Sequence, residues 1–361
     1  MVRGALAAAL LLLLSCGRSD EARERREVDE GLGKAQSELL RFEAEGGQVH
    51  VLALEGARVR ARAGAAELRF TLERRSPSLV QAQLELGNLP PELVLEAPPG
   101  VLQEGPAPAQ LHLGRSWQVH FPRGVDRVEV SSRALAAGDF TFLAFGDIQT
   151  GLPRFGDVVE ALNREPAADF VLVLGDLTDL SEAREFEEVD AQLARLRMPV
   201  YATPGNHDVL SPGAFQQRYG RTSYSFTHRG ARFSSVDSSA AQLDEAVWRW
   251  LEGWLQQGEA QVHVLFTHIP ALETLGIRSG QWNSRREAWR FIALAEEHGV
   301  DALLFGHIHS YAGYSLGGVP TFISGGAGAR PEKLDGIGRH FLRVHVSPAR
   351  GEVRVQRVAV D

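Results

Sequence analysis

Five times in this chain, an apolar run of strand length stops at a side chain able to bind a metal ion. Phe142-Leu143-Ala144-Phe145 leads into Gly146-Asp147-Ile148-Gln149, and Phe170-Val171-Leu172-Val173-Leu174 leads into Gly175-Asp176. Val200-Tyr201-Ala202-Thr203 leads into Pro204-Gly205-Asn206-His207-Asp208. Val262-His263-Val264-Leu265-Phe266 leads into Thr267-His268, and Ala302-Leu303-Leu304-Phe305 into Gly306-His307-Ile308-His309. Helix-length amphipathic stretches at 154–164, 182–197, 242–257 and 284–298 alternate with such runs, the grammar of an α/β domain. In α/β folds, ligands bind beyond the carboxyl ends of strands, so all five segments point at one edge.

The donor types then select a metal class. Carboxylate, amide and imidazole groups without thiolate suit Mn, Fe or Zn, and a pair of ions needs a shared anionic bridge such as an aspartate. Each motif alone has an ordinary reading, since Gly-Asp pairs are common turns and a histidine near a strand end is often surface. Five in order, each directly after an apolar run, point to one metal site.

Upstream the pattern is different. From about 46 to 132 the apolar residues alternate with period two, as in Val59-Ala61-Ala63, Leu68-Phe70-Leu72 and Val80-Ala82-Leu84-Leu86. Pro90-Pro91 and Pro98-Pro99-Gly100 interrupt it, which predicts a small β-sandwich over 46–135. His50, His112 and His120 in this region have no spaced partners and read as strand-surface or core residues.

The first 15 residues read as an export signal, with Arg3 ahead of an apolar run from Ala5 to Leu14 that is too short for a membrane span. Leu13-Leu14-Ser15-Cys16 resembles the bacterial lipobox, which makes Cys16, the chain's single cysteine, the predicted lipidation site. A plain cleaved signal with an incidental cysteine is the competing reading. The charged stretch after Cys16 has almost no apolar surface to bury, so 16–45 reads as a solvated tether, or else a short exposed helix. The expected location is a bacterial cell envelope, lipid-anchored, at the outer membrane or facing the periplasm. A net charge of -8 over 361 residues, without a basic stripe, argues against a nucleic-acid partner.

The ordered set Asp-x-Gln, Gly-Asp, Gly-Asn-His-Asp, His and Gly-His-x-His resembles the calcineurin-like metallophosphoesterase superfamily, over about residues 141–323. The resemblance implies an α/β fold, an αββα two-sheet sandwich over 139–361. It implies two divalent or mixed-valence ions, the first held by Asp147, Gln149, Asp176 and His309, the second by Asp176, Asn206, His268 and His307. It further implies His207 as the group facing the leaving-group oxygen, with Asp208 orienting its imidazole, and hydrolysis of a small phosphomonoester or phosphodiester by a metal-bridging hydroxide. The tail, 340–346 and 352–359, fits a hairpin of the second sheet.

Two departures shape the subtype. Gln149 stands where many members have histidine, and its neutral amide oxygen favours harder ions such as Mn. Asp179 stands where purple acid phosphatases carry a tyrosine that binds ferric iron, so Gly175-Asp176-Leu177-Thr178-Asp179 looks more like the phosphodiesterase-type branch. Arg278, Trp282, Arg285 and Arg286 are candidates for a phosphate clamp, with a solvated loop as the plainer reading. Gly325-Gly326-Ala327-Gly328 reads as a tight turn. A reading from another class is a non-catalytic envelope lipoprotein, whose β-domain binds a partner on a retained metal-domain scaffold.

Overall fold

The computed structural model describes residues 20–360 apart from 47, 259, 275, 277–279, 334 and 335. The export signal at 1–15, the predicted lipidation site Cys16 and the clamp candidate Arg278 lie outside the described residues. A helix, α1, covers 20–31. It is followed by β1 (Lys34–Gln36), β2 (Leu40–Ala44), β3 (Val49–Glu55), β4 (Arg58–Ala63), β5 (Arg69–Arg74), β6 (Gln81–Gly87), β7 (Leu95–Glu96), β8 (Leu102–Gly105), β9 (Arg115–His120) and β10 (Arg127–Ser132).

These ten strands make two sheets of five, ordered β1-β2-β5-β10-β7 and β3-β4-β6-β9-β8. Period-two alternation gives each sheet one apolar face, and the two faces close on a shared core containing Phe42, Phe70, Leu84 and Val119. Strand pairing already begins at Lys34, well before the alternation evident in the sequence. Val80, expected in the stripe of Ala82, Leu84 and Leu86, precedes β6 and is 67% exposed.

After Gly138 come β11 (Phe140–Phe145), α2 (Leu152–Arg164), β12 (Ala168–Val173), α3 (Ala183–Leu193), β13 (Val200–Ala202) and the short α4 (Gln216–Tyr219). The chain continues through β14 (Tyr224–His228), β15 (Ala231–Ser235), α5 (Glu245–Gln256), β16 (Val262–Phe266), α6 (Arg285–Glu297), β17 (Ala302–Phe305), β18 (Tyr311–Leu316), β19 (Val319–Ser324), β20 (His340–Ser347) and β21 (Glu352–Ala359). The sheets are ordered β13-β12-β11-β20-β21 and β14-β15-β16-β17-β19-β18.

Strands in these two sheets are apolar on both faces because both faces are covered. Phe142 and Ala144 of β11 enter the core between the sheets with Phe170, Phe233 and Phe266. Leu143 and Phe145 turn the other way, onto Phe155 and Val158 of α2 and Phe186 of α3. On the far side, Leu265, Leu303 and Phe305 pack on Val247 and Leu251 of α5 and Phe291 of α6. The result is an αββα sandwich, preceded by the all-β sandwich. The terminal hairpin forms as β20 and β21, but β20 pairs with β11. It therefore belongs to the sheet that carries the first three site strands, since β11 offers an open edge on the side away from β12.

The two parts are joined by hydrogen bonds to the backbone of β13 and its surroundings. Asn88 donates to the Ala63 and Val200 carbonyls and accepts from Val200 N–H, each at 2.8 Å. His50 Nε2 lies 2.7 Å from the Gln217 carbonyl, and His112 Nε2 2.7 Å from that of Leu196. Two of the three upstream histidines therefore belong to this seam.

Helix α1 is not a solvated spacer. Asp29 is fully buried and accepts from Thr222 N–H (3.0 Å), Thr222 Oγ1 (2.7 Å) and Ser223 N–H (3.2 Å). Arg25 Nε meets Asp237 Oδ2 at 2.7 Å, again buried. The sequence pattern hid this docking because its contacts are polar and long-range, leaving no apolar stripe to read.

Candidate functional site

The carboxyl ends of β11, β12, β13, β16 and β17 meet along one edge, and the turns there are unusual. Ten non-glycine residues among the described ones have positive φ, and four of them are predicted ligands: Asp147 (67°), Gln149 (34°), Asp176 (54°) and His307 (69°). Left-handed backbone at a non-glycine residue costs roughly 1 kcal/mol or more, and persists only where the surroundings enforce it. Glycines allow the close approaches these turns need. A Cβ on Gly205 would lie 2.0 Å from Asp176 Oδ1, and one on Gly175, itself at φ 87°, would lie 2.6 Å from the His268 ring.

The carboxylates and imidazoles converge accordingly. Asp176 Oδ2 is 3.2 Å from His268 Nε2, and His268 Nε2 is 3.2 Å from His307 Nδ1. Ligand atoms of Asp176, His268 and His307 all lie within 4.8 Å of one another. Gln149 Nε2 donates to the same oxygen, Asp176 Oδ2. Asp147 Oδ1 has His309 Nε2 3.5 Å away, and Asp147 Oδ2 accepts from the His307 backbone N–H at 2.9 Å. Asp176 Oδ2 thus meets both His268 and Gln149, while its Oδ1 accepts from the His207 backbone N–H at 3.0 Å, next to Asn206 on the loop after β13.

Ring orientations are set by the backbone. The Nδ1–H of His268 donates to the Leu174 carbonyl (2.7 Å), that of His309 to Arg330 (2.9 Å), and that of His207 to Asp179 (2.7 Å). In each, Nδ1 is committed and Nε2 is left for the site, the second contact that metal-binding histidines require. Burial disfavours charge on both Asp176 and His268, but their attraction wins, holding the Asp176 carboxyl below its usual range and His268 above its own.

The donor set fits cations. Asp147 Oδ1 and Asn206 Oδ1 are buried with no hydrogen-bond partner. Two orphaned acceptor oxygens beside a buried carboxylate would be costly in water-free surroundings and are satisfied by positive charge.

Asp208 requires a correction. Its carboxylate does not touch the His207 imidazole. Oδ1 accepts from the Thr178 N–H and hydroxyl, both at 3.0 Å, and Oδ2 from Gly205 N–H at 2.9 Å. Being fully buried, it ties the Asp176 loop to the Asn206 loop, while the Asp179 carbonyl orients the imidazole. No sequence rule flags a backbone carbonyl for that role.

Among the described clamp candidates, none offers a buried cationic group to this edge. Trp282 is buried with its indole N–H on the Ile269 carbonyl at 2.9 Å, and Arg285 and Arg286 are exposed. Gly325, read only as part of a turn, matters more: a Cβ there would lie 2.8 Å from Asp147 Oδ2 and 2.2 Å from the Ile308 carbonyl. Another acidic-histidine group, Glu92, Asp169 and His228, is bound up with Arg229, which lies 2.8 Å from Asp169 and 3.3 Å from Glu92. A pocket of about 550 Å³ opens over the site, lined by Asn206, His307, Leu210, Ile269 and, from α1, Glu21 and Arg25.

Residues 140–311 match the family model for calcineurin-like phosphoesterases. A 3′,5′-cyclic-nucleotide phosphodiesterase of Nostoc sp. is 26% identical over 157 residues, covering 40% of this chain and 57% of that relative, so the match spans little more than half of its length. A purple acid phosphatase from yellow lupin (Lupinus luteus) seeds superposes with a TM-score of 0.51 at 12% identity, covering 81% of this chain and 72% of that one. PhoD gives a TM-score of 0.50 at 12% identity, covering 81% of this chain and 86% of that one. These two solved structures share the fold.

Proposed function

We propose, from the match of residues 140–311 to the calcineurin-like phosphoesterase family model, that this chain hydrolyses a small phosphomonoester or phosphodiester at a site holding two metal ions. Asp147, Gln149, Asp176 and His309 would hold one ion, and Asp176, Asn206, His268 and His307 the other, with Asp176 shared. The observation that carries this reading is the pair of orphaned buried oxygens, Asp147 Oδ1 and Asn206 Oδ1, on two of the turns at this edge. When bound, the ions supply Lewis-acid charge to the phosphoryl oxygens and an ionised water at neutral pH. The absence of thiolate, and the amide of Gln149, favour Mn, Fe or Zn, with Mn best suited to the Gln149 side.

His207 has its Nδ1–H committed to the Asp179 carbonyl, so its Nε2 is the atom able to hold or pass a proton at the leaving-group oxygen. Asp208 acts at one remove, by keeping the loops of Asp176 and Asn206 in register. The Nostoc relative supports a diester among the substrates to be tried first. We also propose that Cys16 anchors the chain by a lipid to a bacterial envelope membrane; a Cys16→Ser chain that still incorporates labelled fatty acid would end that claim.

The test is turnover of generic mono- and diesters by protein stripped with chelator and reloaded separately with Mn, Fe, Zn or Mg. Metal-dependent release of product is expected, and its absence with every ion would sink the reading. Asn206→Ala should lower both metal content and rate, whereas His207→Asn should lower kcat while leaving metal content unchanged.

A further inference from the structure

Arg25 lies outside the family-matched segment, yet it lines the same pocket as Asn206 and His307. Its side chain is held firmly. Nε meets Asp237 Oδ2 at 2.7 Å, and the backbone carbonyl of Arg25 accepts from Gln216 Nε2 at 3.3 Å. One turn on, Asp29 binds Thr222 and Ser223, so α1 cannot slide without breaking several buried hydrogen bonds. Asp237 is itself fixed, since its Oδ1 accepts from the Ser239 N–H at 2.9 Å.

Within this arrangement one atom is unexplained. Arg25 Nη2 is buried and has no hydrogen-bond partner, although the side chain is only 9% exposed. A guanidinium N–H removed from water without an acceptor is costly, and a role confined to docking α1 is already fulfilled through Nε. Several of the pocket's other walls, Leu210, Pro212, Ala240 and Ile269, offer apolar side chains. A planar guanidinium can hold one carboxylate on its Nε and present a second N–H elsewhere, a division that the single ammonium of lysine does not reproduce.

We propose that Arg25, which lines the pocket, is a substrate-binding residue, in which Nε is the hinge to Asp237 and the guanidinium turns about it to donate a terminal N–H to an anionic oxygen of the bound phosphoester. The proposal rests on the phosphoesterase reading and deepens it: a helix from outside the family-matched segment supplies a guanidinium to the pocket. The oxygen belongs either to the phosphoryl group under attack or to a second anionic group on the leaving side.

The experiment uses the full metal-loaded chain in wild-type, Arg25→Lys, Arg25→Met and Asp237→Asn forms. Steady-state kinetics are measured with bis(p-nitrophenyl) phosphate, whose leaving group carries no further anionic group, and with ADP, whose leaving group is itself a phosphate ester. Binding of inorganic phosphate is measured by calorimetry, and thermal melting monitors the docking of α1. Arg25→Lys should melt near wild type while KM rises and phosphate affinity falls about tenfold or more, the loss expected for one charge-assisted hydrogen bond. Equal losses on both substrates assign the oxygen to the reacting phosphoryl; a loss confined to ADP assigns it to the leaving group. Asp237→Asn breaks the same ion pair but keeps Nη2, so it should lower melting with less effect on phosphate affinity than Arg25→Met. KM and phosphate affinity within twofold of wild type in Arg25→Lys, or parallel losses in Arg25→Met and Asp237→Asn, would overturn the proposal. If the wild type turns over neither these two substrates nor the monoester p-nitrophenyl phosphate, the hydrolase reading fails, while the calorimetric comparison still decides the role of Arg25.

Discussion

The paired N-terminal sheets and the edge proposed to bind metal solve opposite problems. In the sheets, regular alternation buries rings such as Phe42 and Phe70, stacked at 5.2 Å, and the interior is nearly all hydrocarbon. At the edge, Asp147, Asp176 and His268 are at most 1% exposed, their backbones are strained or tightly turned, and acceptor oxygens lack donors. One region lowers the free energy of the chain; the other raises it and is held in place by four layers behind it. The comparison teaches where to look for function in such a fold: at the positions where burial, strain and unpaired polarity coincide.

The sharpest separation should come from Asp176→Asn. If the Asp176 carboxylate is shared by two ions as proposed, its loss should cut kcat/KM on the order of a thousandfold, as removal of several kcal/mol of transition-state stabilisation requires. Melting of the chelated protein should change far less. Activity within tenfold of wild type would break the assignment of Asp176 as the bridge. Phe70→Ala is the converse experiment: a ring buried in the sandwich core should cost about 3–5 kcal/mol in denaturant unfolding, with kcat per folded molecule unchanged. A fall in kcat without a loss of stability would show that the two regions are not separable in this way.

Their seam supplies an intermediate case. Asn88→Ala would leave the Val200 N–H without its side-chain partner and its carbonyl with only the longer contact from Arg62 Nη2 at 3.4 Å, at a cost of about 2 kcal/mol. Because β13 runs directly into the Asn206 loop, kcat should also fall, by about two- to fivefold on the energetic scale of a few tenths of a kcal/mol to one. No change in either quantity would mean that the sandwich only sits beside the metal domain.

Much of this was legible in the sequence, for identifiable reasons. Strands buried on both faces produce unbroken apolar runs, so β11, β12, β16 and β17 announce themselves, and a polar residue directly after such a run marks the edge. The eye cannot read partners in the same way. The docking of α1 through Arg25 and Asp29 is polar and joins residues about 200 positions apart, the Asp179 carbonyl that orients His207 belongs to the backbone, and Asp208 looks like any motif aspartate until its three donors are seen. Val80 and the early start at Lys34 show the smaller errors of period counting at strand ends.

The finest test compares two histidines on and just beyond the same strand, β16. At its carboxyl end, His268 is drawn upward in pKa by Asp176; inside the strand, burial, with Arg232 and His298 adding to it, pushes His263 down to about 3. His263 Nε2 lies 2.9 Å from the Ser234 hydroxyl, a partner that a neutral ring can serve. Since its folded pKa is depressed below the unfolded value near 6.5, the unfolded chain binds the extra proton between those limits. The stabilisation from keeping His263 neutral is therefore fully present above about pH 6.5 and declines by about 1.4 kcal/mol per pH unit as the pH falls toward 3. Denaturant unfolding at pH 7.5, 6.5 and 5.5 should show His263→Asn losing less stability than wild type over the last interval, by about 1 kcal/mol. Parallel curves would mean that His263 protonates as readily in the fold as in the open chain, and that burial in the apolar strand lacks the electrostatic weight that the metal-facing edge turns to opposite effect.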